Sequence, residues 1–140
     1  MPQDAVTASV TIAASVDRVW EALTRERSSW WPELVFEPMV GAALEETWWE
    51  NGRRARATGT VTTCDPPTRL VFVWHQDSWQ GDLEVDVRIA ASGGMTAVFL
   101  TESGFVGAAT PAGLPDEHVE GWRFHLARLR RVSEGVPLDG

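Results

Sequence analysis

Residues 115–134 carry the one long helical repeat in the chain, and most of residues 35–103 carries the period of a strand. In the final segment Val119, Trp122, Leu126, Leu129 and Val132 recur at three- and four-residue intervals, which places them on one face of a helix. Pro115 suits the first turn, and Asp116 and Glu117 complement the positive end of the helix dipole. Arg128, Arg130 and Arg131 lie near the negative end, and Gly135 supplies a stop. Upstream, the most regular alternation sets Leu83, Val85, Val87 and Ile89 against Glu84, Asp86 and Arg88. A sheet with one apolar face needs a cover, and the terminal helix is the only element long enough to provide it. The expected fold is α+β: a curved antiparallel sheet of about six to seven strands wrapped around a long C-terminal helix, in a single domain over residues 1–140.

The remaining elements follow from local chemistry. Val6, Ala8, Val10 and Ile12 alternate with Thr7, Ser9 and Thr11 as a half-buried first strand. Ser15 is an N-cap for a short helix over 16–24, whose apolar face is Val16, Val19, Trp20 and Leu23. Residues 26–31 predict a second short helix, ended by Pro32. Strands are expected at 35–39 and 43–50 around Gly41, then at 54–64 after the hairpin signal Asn51-Gly52. Asp65-Pro66-Pro67 turns into Leu70–Trp74, Ser92-Gly93-Gly94 turns into 95–103, and 104–114 is a loop.

Composition excludes several classes. A formal charge of −8, from 20 acidic and 12 basic residues, disfavours nucleic acid and anionic membrane as partners. No apolar run approaches the length of a membrane span, and the N-terminus lacks the pattern of a signal peptide. Cys64 is the single cysteine, so no internal disulfide or cysteine-based metal site can form, and a cytoplasmic setting is expected. Lysine and tyrosine are absent, which removes lysine Schiff-base and phenolic acid chemistry. Eight tryptophans must line a core, a pocket or an interface.

Several local motifs occur in a telling order. They are Ile12-Ala13-Ala14-Ser15 before Val19-Trp20-Glu21-Ala22-Leu23, then Trp30-Trp31-Pro32, then Asp65-Pro66-Pro67-Thr68-Arg69-Leu70-Val71-Phe72-Val73-Trp74. Thr101-Glu102-Ser103-Gly104-Phe105 and His118-Val119-Glu120-Gly121-Trp122, with Leu126 and Leu129, complete the set. Together they resemble the START-like helix-grip superfamily, and within it proteins similar to the activator of the ninety-kilodalton heat-shock-chaperone ATPase. The resemblance implies a cavity between sheet and helix that often holds hydrophobic molecules, without implying one activity. The chain departs from the common pattern at Glu102, where many relatives carry histidine.

A small hydrophobic ligand is the expected partner. Phe72, Trp74, Leu83, Val85, Val87 and Leu100 are the candidate wall, with Trp122, Leu126 and Leu129 as the lid and Trp31, Trp48 and Phe105 at the entrance. Core packing is the competing account of each, and a one-residue slip would substitute Val71 and Val73 for Phe72 and Trp74. His118 and His125 stand seven residues apart, within about 20° of each other on a helix. With Glu102 or Asp77 they are candidates for polarising a carbonyl or anchoring a ligand, and His118, His125 and Glu102 are the weak catalytic candidates. No metal site is expected, because a pair of histidines supplies too few ligands. No cofactor is expected either, since no P-loop, dinucleotide fingerprint or nucleophile elbow is present. Glu45, Glu46 and Glu50 read as charges that protect an exposed edge strand, and Cys64 as a small buried apolar residue. The alternatives to a binding module are a chaperone partner or other interaction protein, using Trp30, Trp48 or Trp49, and a cyclase- or hydrolase-like pocket enzyme. A homodimer would fit any of the three.

Overall fold

The computed structural model describes residues 3–138. Strand β1 (Ala5–Ile12) leads into helix α1 (Val16–Leu23), and strands β2 (Leu34–Phe36), β3 (Ala43–Glu50), β4 (Arg53–Asp65), β5 (Arg69–His75), β6 (Leu83–Ser92) and β7 (Met95–Ser103) follow. Helix α2 (Leu114–Ser133) closes the chain. The strands form one curved antiparallel sheet in the order β1-β7-β6-β5-β4-β3-β2, so the first strand pairs with the last and β2 forms the opposite edge. This is the helix-grip architecture expected from the sequence.

Turn chemistry fixes the register. Asn51 and Gly52 have φ of 53° and 76°, the paired left-handed geometry of a two-residue hairpin, and they set Glu50 against Arg53. Gly59 has a different role. A Cβ there would lie 1.8 Å from the Val73 carbonyl oxygen, so only glycine lets β4 run this close to β5. The register then shifts between Val61 and Thr63, a bulge that bends the long strand. Leu70, Phe72 and Trp74 pair with Val87, Val85 and Leu83 and join the core, which settles the parity of β5.

The second short helical element expected within 26–31 is a single 3-10 turn, Arg27–Ser29. The Arg27 guanidinium is buried and directs its donors to the carbonyls of Thr24, Leu34 and Phe36, with its carbon 4.2 Å from the Phe36 ring centroid. That side chain folds the segment back on itself, and burial lowers its pKa from the ordinary arginine range. Strand β2 is also shorter than 35–39, because Pro38 has no N–H to continue the ladder.

Helix α2 packs against β1 and α1. Arg18 of α1 donates to the carbonyls of Val132 and Ser133 at the end of α2, and Glu134 accepts the Ala13 N–H at 2.8 Å. Gly135, at φ 75°, terminates the helix as expected. Trp122, Leu126 and Leu129 are buried on the sheet side, while Val119 and Val132 are half-buried at its margins.

Candidate functional site

The sheet and α2 separate at one end and enclose a cavity of about 230 Å³. On β3, Leu44 is buried, so the alternation sends Glu46, Trp48 and Glu50 to the same inner side. Ala57 of β4 and Trp74 of β5 extend this wall, and Trp79 and Gln76 reach it from the β5–β6 loop. Helix α2 contributes His118, Gly121, Trp122 and His125, with Leu114 and Glu117 near its start. Trp31, held by the Arg27 fold-back, completes the ring.

Behind this wall lies a fully buried carboxylate. Glu102 of β7 stands between Val6 and Val85 in the ladder, and no part of its side chain reaches solvent. Three donors make that burial tolerable. The indole N–H of Trp74 binds Oε2 at 2.8 Å, the indole N–H of Trp122 binds Oε1 at 2.9 Å, and His118 Nδ1 lies 2.7 Å from Oε1. The contact with Glu102 takes up Nδ1 and leaves Nε2 as the ring nitrogen available to a ligand. The Phe105 ring stands edge-on to His118 at 5.7 Å and backs the imidazole.

Two groups that line the cavity have displaced pKa values. Glu46 accepts the Trp31 indole N–H at 3.0 Å, and burial pushes its carboxyl up to about 7 against the opposing pull of that bond and of His118. His125 stacks on Trp31 with ring centroids 3.7 Å apart. Burial, with Arg128 nearby, lowers its pKa to about 4, and its Nδ1 is buried without a hydrogen-bond partner.

The structure divides the expected ligand-binding residues. Trp31, Trp48, Trp74, Trp122 and His125 line the cavity. Phe72, Val87, Leu100, Leu126 and Leu129 instead surround a closed void of about 20 Å³ beneath α2, with room for about one water. Leu83 and Val85 are fully buried in the packed core, and Phe105 supports His118. Among the catalytic candidates, His118 and Glu102 are joined, whereas His125 pairs with Trp31. Asp77 lies beside Arg54 and Arg56 in a separate depression. Among the described residues no cluster of His, Cys, Asp and Glu could hold a metal ion.

Two expectations for individual residues change. Strand β3 is covered by β2 at residues 44–46 and Glu46 faces the cavity, so Glu46 does not protect an edge, whereas the stretch of β3 that carries Glu50 runs on beyond β2. Trp30, considered for an exposed interface, is buried and donates its indole N–H to the Ala22 carbonyl at 2.7 Å. Of the three tryptophans considered there, Trp49 is the outward one, 71% exposed. Trp79 and the cavity-facing position of Glu46 were not among the expected site features. The phase of Leu44 along β3 would have pointed Glu46 inward, but Trp79 sits in a loop without periodicity.

The chain matches the family profile described as Activator of Hsp90 ATPase homolog 1-like protein over residues 13–134. No protein with a curated description matches. Among solved structures it is similar to CalU16 from Micromonospora echinospora, at 25% identity and TM-score 0.69, covering 89% of this chain and 73% of that one. It is also similar to DynU16, a protein of the dynemicin biosynthetic locus, at 25% identity and TM-score 0.77, covering 97% of this chain; the chain spans 49% of DynU16's length. The Aha1 dimer from Colwellia psychrerythraea shares its fold, at 20% identity and TM-score 0.75 with 94% and 97% coverage. No helix among the described residues is long and apolar enough to cross a membrane. With the profile spanning most of its length and the helix-grip fold in place, the chain belongs to the Activator of Hsp90 ATPase homolog 1-like family.

Proposed function

We propose that the protein binds a small, largely apolar molecule in the cavity between its sheet and α2. One observation carries this reading: five of the eight tryptophans, Trp31, Trp48, Trp74, Trp79 and Trp122, converge on a single space of about 230 Å³. Sites for drug-sized ligands span roughly 300–1,000 Å³, so this one suits a compact ligand. Indoles give large contact area at low conformational cost, and three of the five are already fixed by N–H bonds to carboxylates. Such a wall is preorganised and loses little entropy on binding. The similar protein DynU16 belongs to a biosynthetic locus, which is in keeping with this reading.

Native mass spectrometry of the purified protein, referenced to its denatured mass, tests the proposal. A one-to-one small-molecule adduct in the native protein, absent from Gly121→Leu, is the expected result, because nothing lies within 4 Å of a Cβ at position 121 and the added side chain would fill the cavity. An adduct that survives Gly121→Leu would place the ligand elsewhere. A bare native mass that stays bare after incubation with a panel of small aromatic compounds would overturn the proposal.

An acid–base enzyme is a second reading, favoured by the His118–Glu102 pair opening onto the same cavity as Glu46. His118 Nε2 would take a proton from carbon beside a carbonyl while the Glu46 carboxyl donates one to the carbonyl oxygen, giving an enol. Protein-catalysed deuterium exchange at the α-carbon of small ketones, lost in His118→Gln, is the expected signature. Exchange equal to that of buffer would remove this reading.

A further inference from the structure

We infer that the ligand of this cavity is a small organic cation, an ammonium centre carried on an apolar body; the inference rests on the proposal that the cavity is a binding site. Its basis is the kind of surface the cavity presents. The N–H groups of Trp74 and Trp122 are taken by the buried Glu102 and that of Trp31 by Glu46, so none of the three indoles keeps its N–H for a ligand and each can offer only ring surface. The face of an indole carries the negative end of its quadrupole, and it attracts a cation most strongly where water is excluded.

The charges point the same way. Glu46, Glu50 and Glu117 line the cavity, and no arginine does. Strand alternation accounts for two of the three arginines of β4. Arg54 and Arg56 lie on the face opposite Glu46, Trp48, Glu50 and Ala57, whereas Arg53 shares the inner parity and pairs with Glu50 at the hairpin without lining the cavity. On the opposite face Arg56 meets Glu45 at 3.7 Å and Arg54 stands 5.7 Å from the Trp49 ring centroid. On α2, Arg128 turns its Nε to the Trp30 carbonyl at 3.0 Å. An anionic ligand would meet the carboxylates of Glu50 and Glu117 with no arginine to pair it. A neutral one would give the Glu46 carboxyl no countercharge, so burial would go on disfavouring its ionised form. An ammonium ion relieves that penalty and stacks on the indoles at once.

The test compares two molecules of one shape. Choline and 3,3-dimethylbutan-1-ol differ in a quaternary nitrogen against a quaternary carbon. Each is titrated at low salt into the 15N-labelled protein while the indole N–H signals of its eight tryptophans are followed. The expected result is movement of the Trp31, Trp74 and Trp122 signals, with choline bound at least about tenfold more tightly than the alcohol. Glu46→Gln should weaken choline about tenfold more than it weakens the alcohol. Equal or tighter binding of the alcohol would overturn the charge inference and leave the cavity as a binding site. If neither compound moves any cavity indole, the cation inference falls, while the binding-site proposal stands or falls on the native mass spectrum.

Discussion

The Trp31 indole lies nearly flat on the His125 imidazole, with 3.7 Å between centroids and 12° between planes. Burial in that stack lowers the His125 pKa from 6.5 to about 4. The unfolded chain therefore takes up a proton near pH 6.5 that the folded protein refuses until about pH 4. This contribution to stability is full above pH 6.5 and is lost as pH falls through that window, by about 3 kcal/mol at most. His125→Phe keeps a ring on Trp31 and removes the titration. Urea unfolding at pH 7 and pH 4.5 should show the variant gaining on the wild type at the lower pH; parallel behaviour at both would contradict the stack as the cause.

Glu46 produces the opposite slope. Its carboxyl is held up to about 7 against an ordinary 4.5, so the folded protein keeps a proton that the unfolded chain gives up. Stability from this group is full below pH 4.5 and is lost as pH rises through about 7. Glu46→Gln can still accept the Trp31 N–H and has no charge to desolvate. It should match the wild type near pH 4.5 and exceed it by about 1–3 kcal/mol at pH 8. The two slopes oppose each other between pH 4.5 and 6.5, so the variants reveal what the wild-type profile conceals.

How much of this the sequence disclosed depends on whether a residue's partner is local. The strands, α1 and α2 follow from periodicity, from Ser15 as a cap and from Asn51-Gly52 as a turn, all of which act within a few residues. The ring of indoles does not. Trp31 and Trp79 reach the cavity from irregular segments, and Trp31 is placed by Arg27, whose carbonyl partners extend nine residues away. His118 and Trp122 could be assigned to one helix face from spacing alone, but their convergence on Glu102 requires β7 to lie beside β6 and β1. Packing also decided which apolar residues face space. Leu100 and Leu126 carry the same pattern signal as Trp74 and Trp122, yet they close on each other's layer while the bulkier indoles stand at the end where α2 leaves the sheet.

Glu102 should be among the most sensitive positions in the chain. Glu102→Ala would leave the indole N–H groups of Trp74 and Trp122 and the His118 ring without their acceptor in a buried site. The expected loss is about 3–5 kcal/mol by urea unfolding. Glu102→Gln keeps one acceptor oxygen and replaces the other by a donor facing an N–H, for a smaller loss of about 1–3 kcal/mol. A change below about 0.5 kcal/mol in the alanine variant would show that the buried carboxylate is not what fixes these rings.

Gly121 sits inside α2, where glycine is less favourable than alanine by about 0.8–1 kcal/mol. Its φ is not in the left-handed region, and a Cβ would meet nothing within 4 Å, so neither backbone geometry nor packing against protein requires glycine there. What the missing side chain does provide is open space on the helix face that lines the cavity, between His118 and Trp122 on one side and His125 on the next turn. Gly121→Ala should therefore raise the free energy of unfolding by about 0.5–1 kcal/mol and at the same time weaken ligand binding severalfold by narrowing the cavity. Both readouts come from one preparation, a denaturant titration and an indole N–H titration. A stabilised variant with undiminished binding would place the ligand away from this face of α2, and a destabilised one would show that the site at position 121 is tighter than its surroundings indicate.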